Sequence, residues 1–236
     1  MTHPALTSYL HALSSHTGPG MAPLPLEAFA HMLGLDGLAL LRSPSRGPAE
    51  LVESHGKHTL ALEDLQRVQG QGPSLDAARH GNLQLLPDLR GLGHERWPGL
   101  PAAIQALDVH AVFSFPLRIG IIQLGAFTGH RTRPGPLSPG QLADALTLAT
   151  TLAQLTVAMQ AHAHPARIAL LDEPQLHFAE VHQATGMLAA QLDSDCDEAL
   201  IRLRAYAFGH DRPLLHVARD VLARRLHLGD NGTAQP

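Results

Sequence analysis

The side chains with the greatest chemical reach are few, and their spacing does not suit catalysis. Lys57 is the only lysine among 17 Lys and Arg residues. It stands in Gly56-Lys57-His58, whereas a phosphate-cradling P-loop needs serine or threonine after its lysine to meet magnesium. A phosphoacceptor receiver domain needs a lysine late in its fold, and the chain has none there. Cys196 is the single cysteine, which excludes an intrachain disulfide and leaves a thiolate zinc site without support. The 17 histidines include His55-x-x-His58 and His162-x-His164, yet no Cys, Asp or Glu completes either pair into a metal set. Ser74 follows Gly72-Pro73 and lies in no nucleophile elbow, and no base can be matched to it. These residues predict a protein that recognises and does not transform: no enzyme, no cofactor and no metal.

The elements that must hold such a recognition surface follow from composition and pattern. With 236 residues, 44% hydrophobic and 16% charged, the chain can bury one sizeable core or two modest ones. A formal charge of −4 gives no electrostatic footprint for nonspecific DNA binding or an anionic membrane. The start, 1–20, has no cationic region before an apolar run, and no stretch reaches the roughly 20 apolar residues of a bilayer span. Those absences predict a cytoplasmic location and no membrane partner.

The pattern divides the chain into a flexible N-terminus (1–23), a mixed domain (24–137), a connecting helix (138–162), a helical module (168–228) and a tail (229–236). In the mixed domain, a helix from Pro25 to Leu33 leads into a strand, Gly37–Arg42. A second strand (Glu50–Ser54) and a helix (Thr59–Val68) follow. Ala111–Ile119 and Ile121–Thr128 are β-branched and aromatic runs punctuated by Gly120, the strongest hairpin signal in the sequence. Antiparallel neighbours flanked by helices predict an α+β sheet domain.

Ser138-Pro-Gly-Gln141 reads as a capping box. The helix it opens carries Leu142, Leu146, Ala149 and Ala153 on one stripe and Leu148, Leu152, Leu155 and Met159 on another. One stripe covers a sheet; the second predicts a partner helix and therefore a homodimer. Pro165 ends it. Further on, Val181, Ala184, Leu188 and Leu192 recur at helical spacing around a mid-helix Gly186, which costs about 1 kcal/mol relative to alanine. Close helix or ligand approach is the usual reason for such a glycine. A second helix opens at Asp195-Cys-Asp-Glu198 and stops at Gly209, and a third follows Asp211-Arg-Pro213. Three helices with short connections predict a small bundle.

The residues of that module carry a resemblance. Val181-His-Gln-Ala-Thr-Gly-Met-Leu188, Asp197-Glu-Ala199, Leu203-Arg-Ala-Tyr-Ala207 and Arg212-Pro-Leu-Leu-His-Val-Ala218 resemble the ANTAR signature in order and spacing. ANTAR is a three-helix domain of bacterial antiterminators that binds paired RNA hairpins and prevents a terminator from forming. Thr185 stands where the family usually has lysine or arginine. Ahead of it, Gly72-Pro-Ser-Leu-Asp-Ala-Ala78, Leu86-Pro-Asp-Leu89, Arg96-Trp97-Pro98 and Ser114-Phe-Pro-Leu117 with Leu124-Gly-Ala126 resemble a GAF sensor domain of the actinobacterial GAF–ANTAR type. The implied fold is an α+β GAF-like antiparallel sheet, a long connecting helix and an all-α ANTAR-like bundle.

The resemblance implies RNA contact at Gln183, Thr185, Gly186, Arg204 and Arg212: arginine pairs with phosphate or stacks on unpaired bases, and glutamine can bond a base edge. It also implies a signal, small molecule or protein, at a GAF pocket that Phe113, Phe115, Ile122 and Leu124 could line. Their alternative role is core. Lys57 is not preceded by asparagine, as a cyclic-nucleotide motif requires, and no cysteine in that domain could carry a bilin. From Ile168 onward six arginines face ten acidic residues, which opposes phosphate binding. Two functions stay open: a signal-responsive antitermination regulator, and a non-enzymatic dimeric interaction module whose RNA-binding domain is degenerate.

Overall fold

The hairpin anchors the architecture. In the computed structural model, which describes residues 7–8, 11–12, 24–44, 49–91, 95–104, 106–162, 173–228 and 234–235, β4 (Ala111–Ile119) and β5 (Ile122–Arg131) pair antiparallel around Gly120. Gly120 takes a positive φ of 59°, which glycine adopts without steric cost. Added to them are β1 (Gly37–Arg42), β2 (Glu50–His55) and β3 (Gln84–Leu86), giving a five-stranded antiparallel sheet in the order β2-β1-β5-β4-β3. Gly125 is demanded at the β1–β5 seam, because a Cβ there would stand 1.9 Å from the Leu41 carbonyl oxygen.

The two faces of the sheet differ in chemistry. Toward α1 (Leu26–Leu33) and α5 (Pro139–His162) the strands present Leu38, Leu40, Phe113, Phe115, Leu117 and Phe127. Phe115 and Phe127 face each other across β4–β5 and stack with ring centroids 4.7 Å apart, a pair worth about 1 kcal/mol beyond its buried area. The other face carries smaller residues, Ala39 and Ala126, which admit α3 (Pro73–His80) closely through Ala77 and Ala78. Beside it, α2 (Thr59–Gln69) and α4 (Leu100–Ile104) enclose Trp97 and Val112. Trp97 donates its indole N–H to Asp76 at 3.2 Å.

The capping box at the start of α5 forms as the sequence predicts: Gln141 N–H donates to Ser138 Oγ at 3.2 Å, and Ser138 N–H to Gln141 Oε1 at 2.9 Å. The partner-facing stripe does not. Leu148 and Leu152 are buried against the sheet with Ala145, Ala149 and Ala153, because α5 lies on the sheet along that whole broad face. Among the described side chains of α5, the large apolar ones left exposed are Leu146 and Val157; Met159 of the predicted stripe lies outside the described side chains.

Three further helices, α6 (Glu173–Leu192), α7 (Cys196–Gly209) and α8 (Leu214–Leu222), share a second core. Val181, Ala184 and Leu188 of α6 meet Leu203 of α7 and Val217 and Val221 of α8. Asp195 caps α7, its carboxylate accepting the Glu198 N–H at 2.7 Å, an interaction worth about 1 kcal/mol. The bundle is docked: α6 packs on the edge strand β2, and α7 on α2. Short strands β6 (His227–Leu228) and β7 (Ala234–Gln235) pair antiparallel, so the end of the chain is not wholly the tail its composition predicts. The flexible start, the break before 168 and the remaining tail residues lie outside the described residues, apart from 7–8 and 11–12.

Periodicity also passed over α3, β3 and α4, each eight residues or fewer. Among the described residues no helix is long and apolar enough to cross a membrane.

Candidate nucleic-acid interface

On α6, Gln183 and Gly186 lie exposed one turn apart, where residues three positions apart share a helix face. A Cβ on Gly186 would meet nothing within 4 Å. Close packing therefore does not account for this glycine; the face above it is open. Thr185 is a correction. It is 5% exposed and donates its hydroxyl to the Val181 carbonyl at 2.7 Å. Its position on the stripe with Val181 and Leu188 turns it into the bundle, and the back-bond satisfies its one polar group there.

The arginines are also placed differently from the sequence expectation. Arg204 does not project freely: it lies in the seam between α7 and α2, its Nη1 3.5 Å from where a Cβ of Gly70 would be. Its Nε is buried without a hydrogen-bond partner. Burial pushes its guanidinium down to about 10, with the charge of Arg79 acting in the same direction. Arg212 donates to Asp220 at 2.6 Å, and Arg225 binds the same carboxylate. Arg202 pairs with Glu198 and Arg219 with Glu180. These exposed pairs add little stability, but they leave the bundle little positive charge to offer a phosphate.

A charge contact that no local pattern announces joins the two parts. His182 Nε2 on α6 lies 3.3 Å from Glu50 Oε1 on β2. Arg42 reaches the same carboxylate. His182 above all, and then Arg42, hold the Glu50 carboxyl at about 2 against the opposing effect of partial burial.

Of the proposed pocket residues, Phe113, Phe115 and Leu124 are buried in the core beneath α1 and α5, and Ile122 is 61% exposed beside the hairpin turn. Ile122 lies at the turn end of β5, beyond the bulge between Leu117 and Arg118, and so is set apart from the three buried residues. The polar groups gather on the opposite face. Ser74 Oγ donates to Glu63 Oε1 at 2.7 Å, Gln66 Nε2 to Ser74 Oγ at 2.8 Å, and Ser74 N–H to Gln66 Oε1 at 2.8 Å. Burial raises the Glu63 carboxyl to about 7, although Ser74 and Arg67 pull the other way. On β5, His130 is 1% exposed with neither ring nitrogen partnered, and burial lowers it to about 4 against the pull of Asp36. Glu63 and Gln66 were hidden in sequence because they occupy the core-facing positions of α2, where a hydrophobic period would place leucines. Among the described residues no three His, Cys, Asp or Glu side chains converge as a metal site.

No protein-family profile matches the chain, and no curated protein is similar to it in sequence. Solved structures are. The chain is similar to the GAF domain of an Acinetobacter phosphoenolpyruvate-protein phosphotransferase, with a TM-score of 0.52 at 14% identity over 68% of this chain and 95% of that one. A second likeness is to the GAF domain of a phosphoenolpyruvate-protein phosphotransferase from Coxiella burnetii, with a TM-score of 0.52 at 17% identity over 66% and 95%. The sheet domain has the GAF fold. Identities this low carry the fold alone.

Proposed function

We propose that the chain is a signal-responsive RNA-binding regulator, in which the GAF domain receives a signal and the C-terminal bundle, ANTAR-like, takes paired hairpins of a nascent transcript. It works in the cytoplasm as a non-enzymatic protein. The observation that carries this reading is Gly186. A mid-helix glycine costs about 1 kcal/mol, nothing among the described residues comes within 4 Å of where its Cβ would be, and Gln183 stands exposed on the same face. A ligand backbone approaching α6 is the remaining reason for it. Contact with RNA would come through Gln183 and Gly186, with Arg204 reached at the seam between α7 and α2.

The test is a gel-shift titration of the full chain, at fixed salt, with a two-hairpin RNA and a duplex of equal length. The hairpin RNA should bind more tightly. Gly186→Ala, whose Cβ meets nothing within 4 Å, should weaken it about ten-fold at unchanged or higher helicity. Equal affinity for both RNAs would refute the reading.

A second reading has its own support. With Thr185 turned inward, Arg212 tied to Asp220 and Arg204 held in the seam, the bundle would serve as a docking module within a homodimer. In that case neither RNA is retarded and the Gly186 face binds protein.

A further inference from the structure

Positive charge is concentrated where the bundle meets the GAF domain. Gly70 ends α2 with a φ of 67°, and guanidiniums from two other helices converge on this turn. Arg79 of α3 donates from Nη1 to the Gly70 carbonyl at 3.1 Å. Arg204 of α7 comes to the same residue from the far side of the seam, as its 3.5 Å approach shows. Arg67, in the last turn of α2, is buried to 4% exposure and is attracted by Asp64 and Glu63 more than Arg204 repels it, so the repulsion that concerns the seam is between Arg204 and Arg79. Like charges in a partly desolvated place repel strongly. An anion between them would relieve that repulsion and accept from the unpartnered Arg204 Nε.

The same seam is hollow. A cleft of about 480 Å³ opens beside Gly70, and Arg204 is the one charged residue in its lining. Its walls are Val68, Ile201 and Phe208, with the carboxamides of Gln69 and Gln71 between them. Ile201 and Phe208 are 61% and 64% exposed, whereas Leu200 and Leu203 of the same helix are buried in the bundle. An aromatic side chain beside an arginine is the pairing that stacks a planar ring while holding a phosphate.

We propose that this cleft is a nucleotide-binding site, with the phosphate on Arg204, the base against Phe208 and Ile201, and Arg79, bonded to the Gly70 carbonyl at the cleft's edge, adding positive charge to the phosphate end. A free mononucleotide and an unpaired nucleotide of an RNA strand present the same chemistry. Only the second source rests on the RNA reading above. In either case the GAF domain contributes Arg79 and the bundle contributes Phe208, so a nucleotide in the cleft ties the two together.

The full chain is titrated calorimetrically with each of the four nucleoside 5′-monophosphates and with the matching nucleosides. It is titrated separately with single-stranded hexanucleotides of each base. At least one monophosphate should bind, roughly ten-fold or more tighter than its nucleoside, as befits a charge-assisted contact. Arg79→Gln and Phe208→Ala alter exposed side chains, and each should weaken that binding about ten-fold without moving the melting temperature. Competition by a hexanucleotide that shows the same two losses identifies a strand as the source; monophosphate binding without competition identifies a free nucleotide. The proposal is overturned if neither class binds up to millimolar concentration, or if both variants bind as the parent does. Should two-hairpin RNA still bind in that event, the cleft fails while the RNA reading stands.

Discussion

Glu63→Gln should make the protein more stable in mild base and flatten a pH dependence that the buried carboxyl imposes. Glu63 sits inside the GAF domain at 2% exposure, bonded to Ser74 Oγ. Its carboxyl titrates at about 7 when folded and at 4.5 when not, with burial the main cause. Between those values the folded state holds a proton that the unfolded state has lost, so stability falls as pH rises. The contribution is fully present below pH 4.5 and lost above about 7. At ~1.4 kcal/mol per pH unit that interval weighs about 3 kcal/mol. Glutamine keeps the acceptor for Ser74 and cannot ionise. Urea unfolding of both proteins at pH 4 and pH 8 measures the effect. The stability difference, Glu63→Gln minus parent, should be about 3 kcal/mol more favourable at pH 8 than at pH 4, whatever constant offset the substitution carries. The comparison with the variant is essential, because His130 acts oppositely over an overlapping window. Lowered from 6.5 to about 4, it costs stability as pH falls through that range, and the parent curve alone is nearly flat where the two cancel. A difference that does not change between pH 4 and pH 8 would refute the reasoning.

Four other outcomes are expected. His130→Phe should remove the acid-side loss between pH 6.5 and about 4, read from melting temperature against pH. Gly125→Ala should destabilise the protein by about 3 kcal/mol or more in denaturant unfolding, since its Cβ would stand 1.9 Å from the Leu41 oxygen; a loss under ~1 kcal/mol would mean that β1 and β5 can part there. Leu148→Asp should unfold the GAF domain by circular dichroism, a buried carboxylate costing several kcal/mol. Leu146→Asp with Val157→Asp should leave the fold intact and, if α5 pairs two chains through its exposed side, yield monomers in sedimentation.

The sequence by itself determined the elements whose signals are local. Ser138 and Gln141 closed the capping box, Gly120 turned the hairpin, and Val181, Ala184 and Leu188 marked the inner stripe of α6, because capping, turn chemistry and helical period act within a few residues. Tertiary structure alone decided which side of each element met what. Leu148 and Leu155 share a stripe in the sequence, yet Leu148 is fully buried on the sheet and Leu155 only partly covered. Arg204 and Gly70 are far apart along the chain and meet only because α7 docks on α2; Glu50 and His182 meet because α6 docks on β2. No local pattern encodes such pairs. The charge an arginine offers to a ligand depends on its neighbours in space, and those neighbours are fixed only when the two cores come together.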